Sequence, residues 1–272
     1  MTLRPILPTR VGHAEWNDNR FRGHSVAQDL ASRETCTGLL ALAIVGRRLG
    51  DVERAMLDDL ATVMTVADPR VWPLKLVRVV SSFGGCLAAL AAGTVNLEGA
   101  LVGHPSTGRA AAVLVSLAEL TAERLRRGGT TEELAMDGAC RELLSQSSRL
   151  SGFGVPFRQR DERVDMLTAC VEARGRAELR YWRLFSRATE MFRRIKNLEP
   201  NIGLAAGAVC LDMGLTLAQI GPFVTALGMS DLWCNAMEGS EQAAEALQNL
   251  PRDTVRYAGP SDRVSPRGRL AR

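Results

Sequence analysis

Three short segments, G-A-L-V-G (residues 99–103), G-F-G-V-P-F-R (152–158) and P-N-I-G-L (200–204), decide the reading of this chain. They lie between stretches of helical periodicity. Residues 51–66 put Val52, Ala55, Met56, Leu60 and Val63 on one face at three- and four-residue steps. Residues 110–127 do the same with Val113, Leu114, Leu117, Leu120 and Leu125, and the pattern stops at Gly128-Gly129. Thr131 opens T-E-E-L, an acidic first turn ahead of 135–144. A long helical stretch follows over 164–195 with an interruption at Gly175, then 205–213 and 218–227, punctuated by Gly214 and by Gly221-Pro222. Alternating β-branched patterns are nearly absent, so the expected fold class is all-α.

In this order and spacing the three segments resemble the citrate synthase superfamily, especially its short, citryl-CoA-lyase-like branch. The family patterns run approximately G-x-L-H-G-G, G-x-G-H and P-N-x-D. Further segments agree: F-R-G-H-S-V-A-Q-D-L (21–30), A-D-P-R (67–70), R-V-V-S-S (78–82), A-A-G (91–93) and P-R-D-T-V-R-Y-A-G-P (251–260). Together they span about 240 residues. The resemblance implies a dimeric protein with a large helical domain (1–107 and 208–272) and an inserted small helical domain (108–207) that closes over coenzyme A.

The same alignment places Val102 and Val155 on the two family histidines and Gly203 on the aspartate, while Pro69 replaces a further substrate-touching histidine. The family reaction needs that aspartate to remove a proton alpha to a thioester carbonyl. One histidine stabilises the enolate and the other polarises the carbonyl under attack. Valine and glycine offer neither a titratable group nor a side-chain donor. Each such loss typically costs on the order of a hundred- to ten-thousand-fold in rate.

Composition narrows the alternatives. A net charge of +4 and 24% charged residues argue against nucleic acid as the main partner. Six cysteines without C-x-x-C spacing and three histidines give no zinc-finger, metalloprotease or thioredoxin pattern, so no metal is expected. The cysteines read as buried thiols of a reducing, cytoplasmic setting, and the first residues carry no apolar signal core. Residues 79–97 are uncharged, but Gly84, Gly85, Gly93, Ser81, Ser82 and Asn96 make a poor membrane segment. That stretch is expected to be a buried helix or helix pair at a subunit interface. The basic tail 261–272 reads as loose, or as an arm over a partner.

The expected cleft has His104 as its candidate catalytic group and Arg163 and Arg252, matching the family's carboxylate-holding arginines, at its polar end. Val102, Val155, Phe153, Gly203 and Asn201 complete the substrate-binding candidates, and Trp72, Phe157 and Trp233 are further aromatics that could line it. Three readings remain open. The chain is a repurposed enzyme acting on a small molecule, a non-catalytic homologue pairing with a citrate-synthase-like paralogue, or a residual acyl-CoA-binding protein. No cofactor is expected, a coenzyme A thioester being admissible as substrate.

Overall fold

Several helices begin where the sequence supplies a side-chain acceptor for their free amides. Thr131 caps one by accepting from Leu134 N–H, Asp161 another through Arg163 N–H, and Asn201 a third through Gly203 N–H at 3.0 Å. The structure, a computed structural model, describes residues 8–99, 103–147, 149–244, 256 and 258–260. Val102, Arg252, nearly all of the 251–260 segment and the basic tail therefore lie outside the described residues.

Among the described residues eleven α-helices follow a small N-terminal sheet. The antiparallel strands are β1 (Gly12–Ala14), β2 (Asn19–Phe21) and β3 (His24–Ser25). A single π-helical turn (Val26–Leu30) leads into α1 (Cys36–Ile44), α2 (Asp51–Val63), α3 (Trp72–Gly84) and α4 (Cys86–Gly99). The long α5 (Ser106–Arg127) is followed by α6 (Glu132–Gln146), α7 (Glu162–Ala173) and α8 (Arg180–Lys196). The chain continues through α9 (Ile202–Asp212), α10 (Leu217–Leu227) and α11 (Met229–Ser240).

The core is organised around α5 and α9. Residues 202–210 of α9 are buried on every side, which an apolar helix requires. Gly207 makes the crossing close: a Cβ there would lie 3.1–3.2 Å from Ala111 side-chain and backbone atoms of α5. A second cluster joins Leu117 to Met136, Leu143, Met191 and Phe192, and a third joins α3, α4 and α11 through Leu74, Val77, Leu90 and Leu232. Burying each such side chain contributes about 2 kcal/mol.

The 164–195 stretch breaks where expected, Gly175 taking φ +66° between α7 and α8. Other sequence expectations need correction. Pro222 does not punctuate but lies inside α10. The 79–97 stretch is a helix pair broken at Gly85, yet it is buried on one side only, since Phe83, Leu87 and Val95 are exposed. Only Cys140 and Cys210 are buried cysteines; Cys36 and Cys234 are exposed. Asp212, at the end of α9, caps α8 by accepting from Tyr181 and Trp182 N–H at 2.8 Å. Among the described residues no single helix is long and apolar enough to cross a membrane.

Candidate functional site

The 152–158 and 200–204 segments are joined by backbone. Asn201 N–H donates to Gly152 O and Gly154 N–H to Glu199 O, both at 2.9 Å, around an antiparallel bridge between Phe153 and Pro200. The Asn201 amide adds a donation to Gly154 O at 2.8 Å. The residues that follow the first motif lie beside them. A turn held by Thr107 N–H on His104 O at 3.0 Å starts α5 and sets Ser106 and Thr107 beside Gly203. A Cβ at Gly203 would lie 3.8 Å from Thr107 Oγ1 and 3.9 Å from Ser106 Oγ.

These segments wall a cavity of about 820 Å³, large enough for a small organic molecule. His104, Arg163, Val155, Phe153, Gly203 and Asn201, all candidates from the sequence, line it together. Trp72, Phe157 and Trp233 do not, being 49%, 60% and 43% exposed. Phe157 instead sits under the Arg70 guanidinium, 4.4 Å from its ring centroid, and Pro69 is exposed. A shallower apolar groove near the N-terminus, between Phe21, Val26, Leu30 and Leu39, is lined by one charged side chain among the described residues. That side chain is Glu34, which Arg48 and Arg54 hold at 2.9 Å.

The cavity's electrostatics follow from four side chains. Asp161, fully buried, receives Arg163 Nε at 2.7 Å, Arg163 Nη2 at 2.8 Å and Ile202 N–H at 2.9 Å. Burial alone would raise its carboxyl, but the Arg163 hydrogen bonds and charge outweigh that and hold it below its ordinary value. Arg163 is thus half committed to a neighbour on its own helix end, which the sequence reading of a free carboxylate anchor did not include. His104 is not at the mouth, as its neighbours in sequence suggested, but inside. Its ring rests on Gly228, and its Nδ1 is cut off from solvent and from any partner among the described residues. Burial, with the Arg163 charge adding, pushes the imidazole down to about 4, so it is neutral at pH 7.

Asp231, in the first turn of α11, is the residue that sequence reasoning missed. It is 5% exposed and lines the cavity. Burial pushes its carboxyl up to about 6, an Ala67 N–H donation and the Arg163 charge only partly offsetting it. The available signal was an acid four residues before Asn235 in S-D-L-W-C-N-A, which puts two polar side chains on one face of a helix otherwise rich in buried apolar residues. Two exposed cations, Arg149 and Lys196, also line the cavity without having been anticipated. Among the described residues no group of three or more acidic, histidine or cysteine side chains is placed to hold a metal ion.

No family model matches the chain, and comparison with curated proteins finds no match. Solved structures do match: a citryl-CoA lyase from Hydrogenobacter thermophilus superimposes with TM-score 0.76, covering 98% of this chain and 100% of that one at 16% identity. The chain has the citrate synthase fold. An ATP citrate lyase from Methanosaeta concilii in complex with (3S)-citryl-CoA gives TM-score 0.70 at 16% identity, over 96% of this chain and 43% of that one. A citrate synthase from Thermotoga maritima gives 0.55 at 13% identity, over 96% and 95%. The likeness to the citryl-CoA lyase structure runs along essentially the whole length of both chains.

Proposed function

We propose that this citrate-synthase-fold protein uses its cleft for a substrate other than citrate, an acyl thioester or a natural-product intermediate with an apolar body, and performs neither citrate synthesis nor citryl-CoA cleavage. One observation carries the reading. Val155 and Gly203 stand in the same cavity wall as His104 and Arg163, so two positions that the resemblance assigns to acid–base chemistry offer only apolar surface. A tightly shaped pocket can still accelerate a reaction by holding groups in near-attack geometry. Arg149 and Lys196 would meet the phosphates of a coenzyme A thioester, and Arg163 with His104 the polar end of the substrate. A second copy of the chain would cover Phe83, Leu87 and Val95 of α3 and α4, giving a homodimer.

The test is free-thiol release from acetyl-CoA with oxaloacetate, and cleavage of citryl-CoA, by the purified protein. No turnover is expected; a rate near about one per second would overturn the reading. Val155→Trp fills the cleft and is expected to abolish ligand-induced thermal stabilisation by acyl-CoA thioesters. If it remains folded and changes neither binding nor phenotype, the cleft is idle and the paralogue-pairing reading replaces this one.

A further inference from the structure

Two carboxyl groups line the cavity among the described residues, and they are held differently. Asp161 is committed to Arg163 and to Ile202 N–H. Asp231 has neutral donors only: Asn235 Nδ2 at 3.2 Å from Oδ1, and the backbone N–H of Ala67. Asn235 cannot turn its amide round to offer anything else. Its Oδ1 accepts from Arg78 Nη1 at 2.9 Å, and Arg78 is pinned to Glu238 at 2.7 Å. No ion pair reaches Asp231 among the described residues, and Arg163 acts on it only through space, its charge already shared with Asp161. One turn earlier on the same helix, Gly228 carries the ring of His104, whose Nδ1 has no partner.

We propose that this end of the cleft is a proton-coupled site for a small carboxylate, in which Asp231 takes up the proton. The inference rests on reading the cleft as a ligand site. A docked carboxylate would meet Arg163 from α7, His104 from the turn before α5 and Asp231 from α11 together, while Asp161, paired with Arg163, and the exposed Arg149 and Lys196 are the other charged groups of the lining. Arg78 of α3 acts only through Asn235, and the loop before α3 contributes the Ala67 N–H. A second negative charge within a few ångströms of a buried carboxylate, with one shared cation nearby, favours the neutral form of one of the two. His104, itself neutral, supplies no positive charge. Asp231 already holds its proton up to about pH 6, so it is the group poised to accept one from solvent when an anion arrives. Its O–H then donates to the bound carboxylate, no other bond is made or broken, and the charge of the site is unchanged. Val71, Pro73, Leu74, Leu97 and Leu232 make the adjoining wall apolar, which suits a carboxylate with a hydrocarbon body.

The test is isothermal titration calorimetry of the whole chain at pH 7 with butyrate, malonate and citrate as probes. Each titration is repeated in phosphate and in Tris, whose ionisation enthalpies differ. Uptake of close to one proton per carboxylate bound is expected, with affinity falling about tenfold per pH unit above 7. Asp231→Asn keeps a neutral donor in place; it should keep binding and lose both the uptake and the pH slope. A merely structural Asp231 would leave those two readouts unmoved. Binding without proton uptake by the unaltered protein overturns the proposal alone, needing no variant. So does uptake that survives in Asp231→Asn and disappears in His104→Gln. If none of the probes binds at millimolar concentration, the carboxylate site is refuted, while the wider cleft reading still stands or falls by Val155→Trp.

Discussion

Gly228→Ala isolates the cause of the unusual state of His104. Gly228 has φ −84° and ψ 8°, a conformation alanine adopts without strain, so the only new feature is the methyl group. That methyl would lie 2.7 Å from Nδ1 of His104 and closer still to Cε1 and Nε2. Carbon and nitrogen at rest need about 3.5 Å, so the ring must retreat by roughly an ångström or more. The turn that starts α5 fixes its backbone, and rotation into the cavity is the available path. Burial is then relieved, and the imidazole returns from about 4 toward its ordinary 6.5. At about 1.4 kcal/mol per pH unit this is a change of about 3 kcal/mol in proton affinity, beside an overpacking cost of about 1–3 kcal/mol. The sequence has three histidines, His13, His24 and His104, so long-range proton–nitrogen correlation spectra will show each ring. In the unaltered protein His104 should stay neutral to below pH 5; in the variant it should titrate near 6. A folded Gly228→Ala whose His104 still titrates near 4 would refute the argument that burial against Gly228 sets this ring's charge.

Asp231→Asn should expose a pH dependence that the unaltered protein conceals. His104 is depressed on folding, so its contribution is whole above 6.5 and lost as the pH falls toward 4; Asp231 is raised, so its contribution is whole below 3.8 and lost as the pH rises through 6. The two slopes oppose each other across the shared window, and chemical denaturation of Asp231→Asn between pH 7 and 4 should show a loss approaching about 3 kcal/mol where the parent changes little. Arg163→Ala leaves Asp161 buried without its cation and should cost about 3–5 kcal/mol by urea unfolding, with Arg163→Lys recovering only part because it cannot donate from two fixed nitrogens. Gly207→Ala presses a methyl on α5 at Ala111 and should lower stability by about 1–3 kcal/mol without altering any cavity side chain, as circular dichroism melting will report.

The architecture was legible in the sequence because its signals are local. Gly128 ends α5 and Thr131 caps α6 at the positions expected. Two of the short motifs, 152–158 and 200–204, are joined by backbone and supply residues that line the cleft. What escaped depends on contacts between distant elements. Asp231 looks like any first-turn helix acid until α11 is laid beside the loop at Ala67 and the turn at His104. Strands of two or three residues are too short to show alternation, which hid the N-terminal sheet. The apolar run 79–97 was expected to be buried at a subunit interface; hydrophobicity marks surface that avoids water without saying whether its cover comes from the same chain, and Phe83 and Leu87 are exposed in the single chain. Aromatic residues gave the same lesson: Phe153 turns inward against Phe192 with ring centroids 4.7 Å apart, whereas Phe157, four residues on, turns out.

The backbone ties between Gly152, Gly154, Glu199 and Asn201 have a consequence for how such a cleft changes over time. Five of the six groups joined there are main-chain amides and carbonyls, which every substitution except proline leaves in place. The Val155 side chain hangs from this frame without holding it up, and Gly203 brings none. Reactive groups at those two positions could therefore be lost and inert ones gained, one at a time, with the pocket's outline persisting throughout. Shape and reactivity are separable in such a frame, so one chemistry can be discarded before another is found.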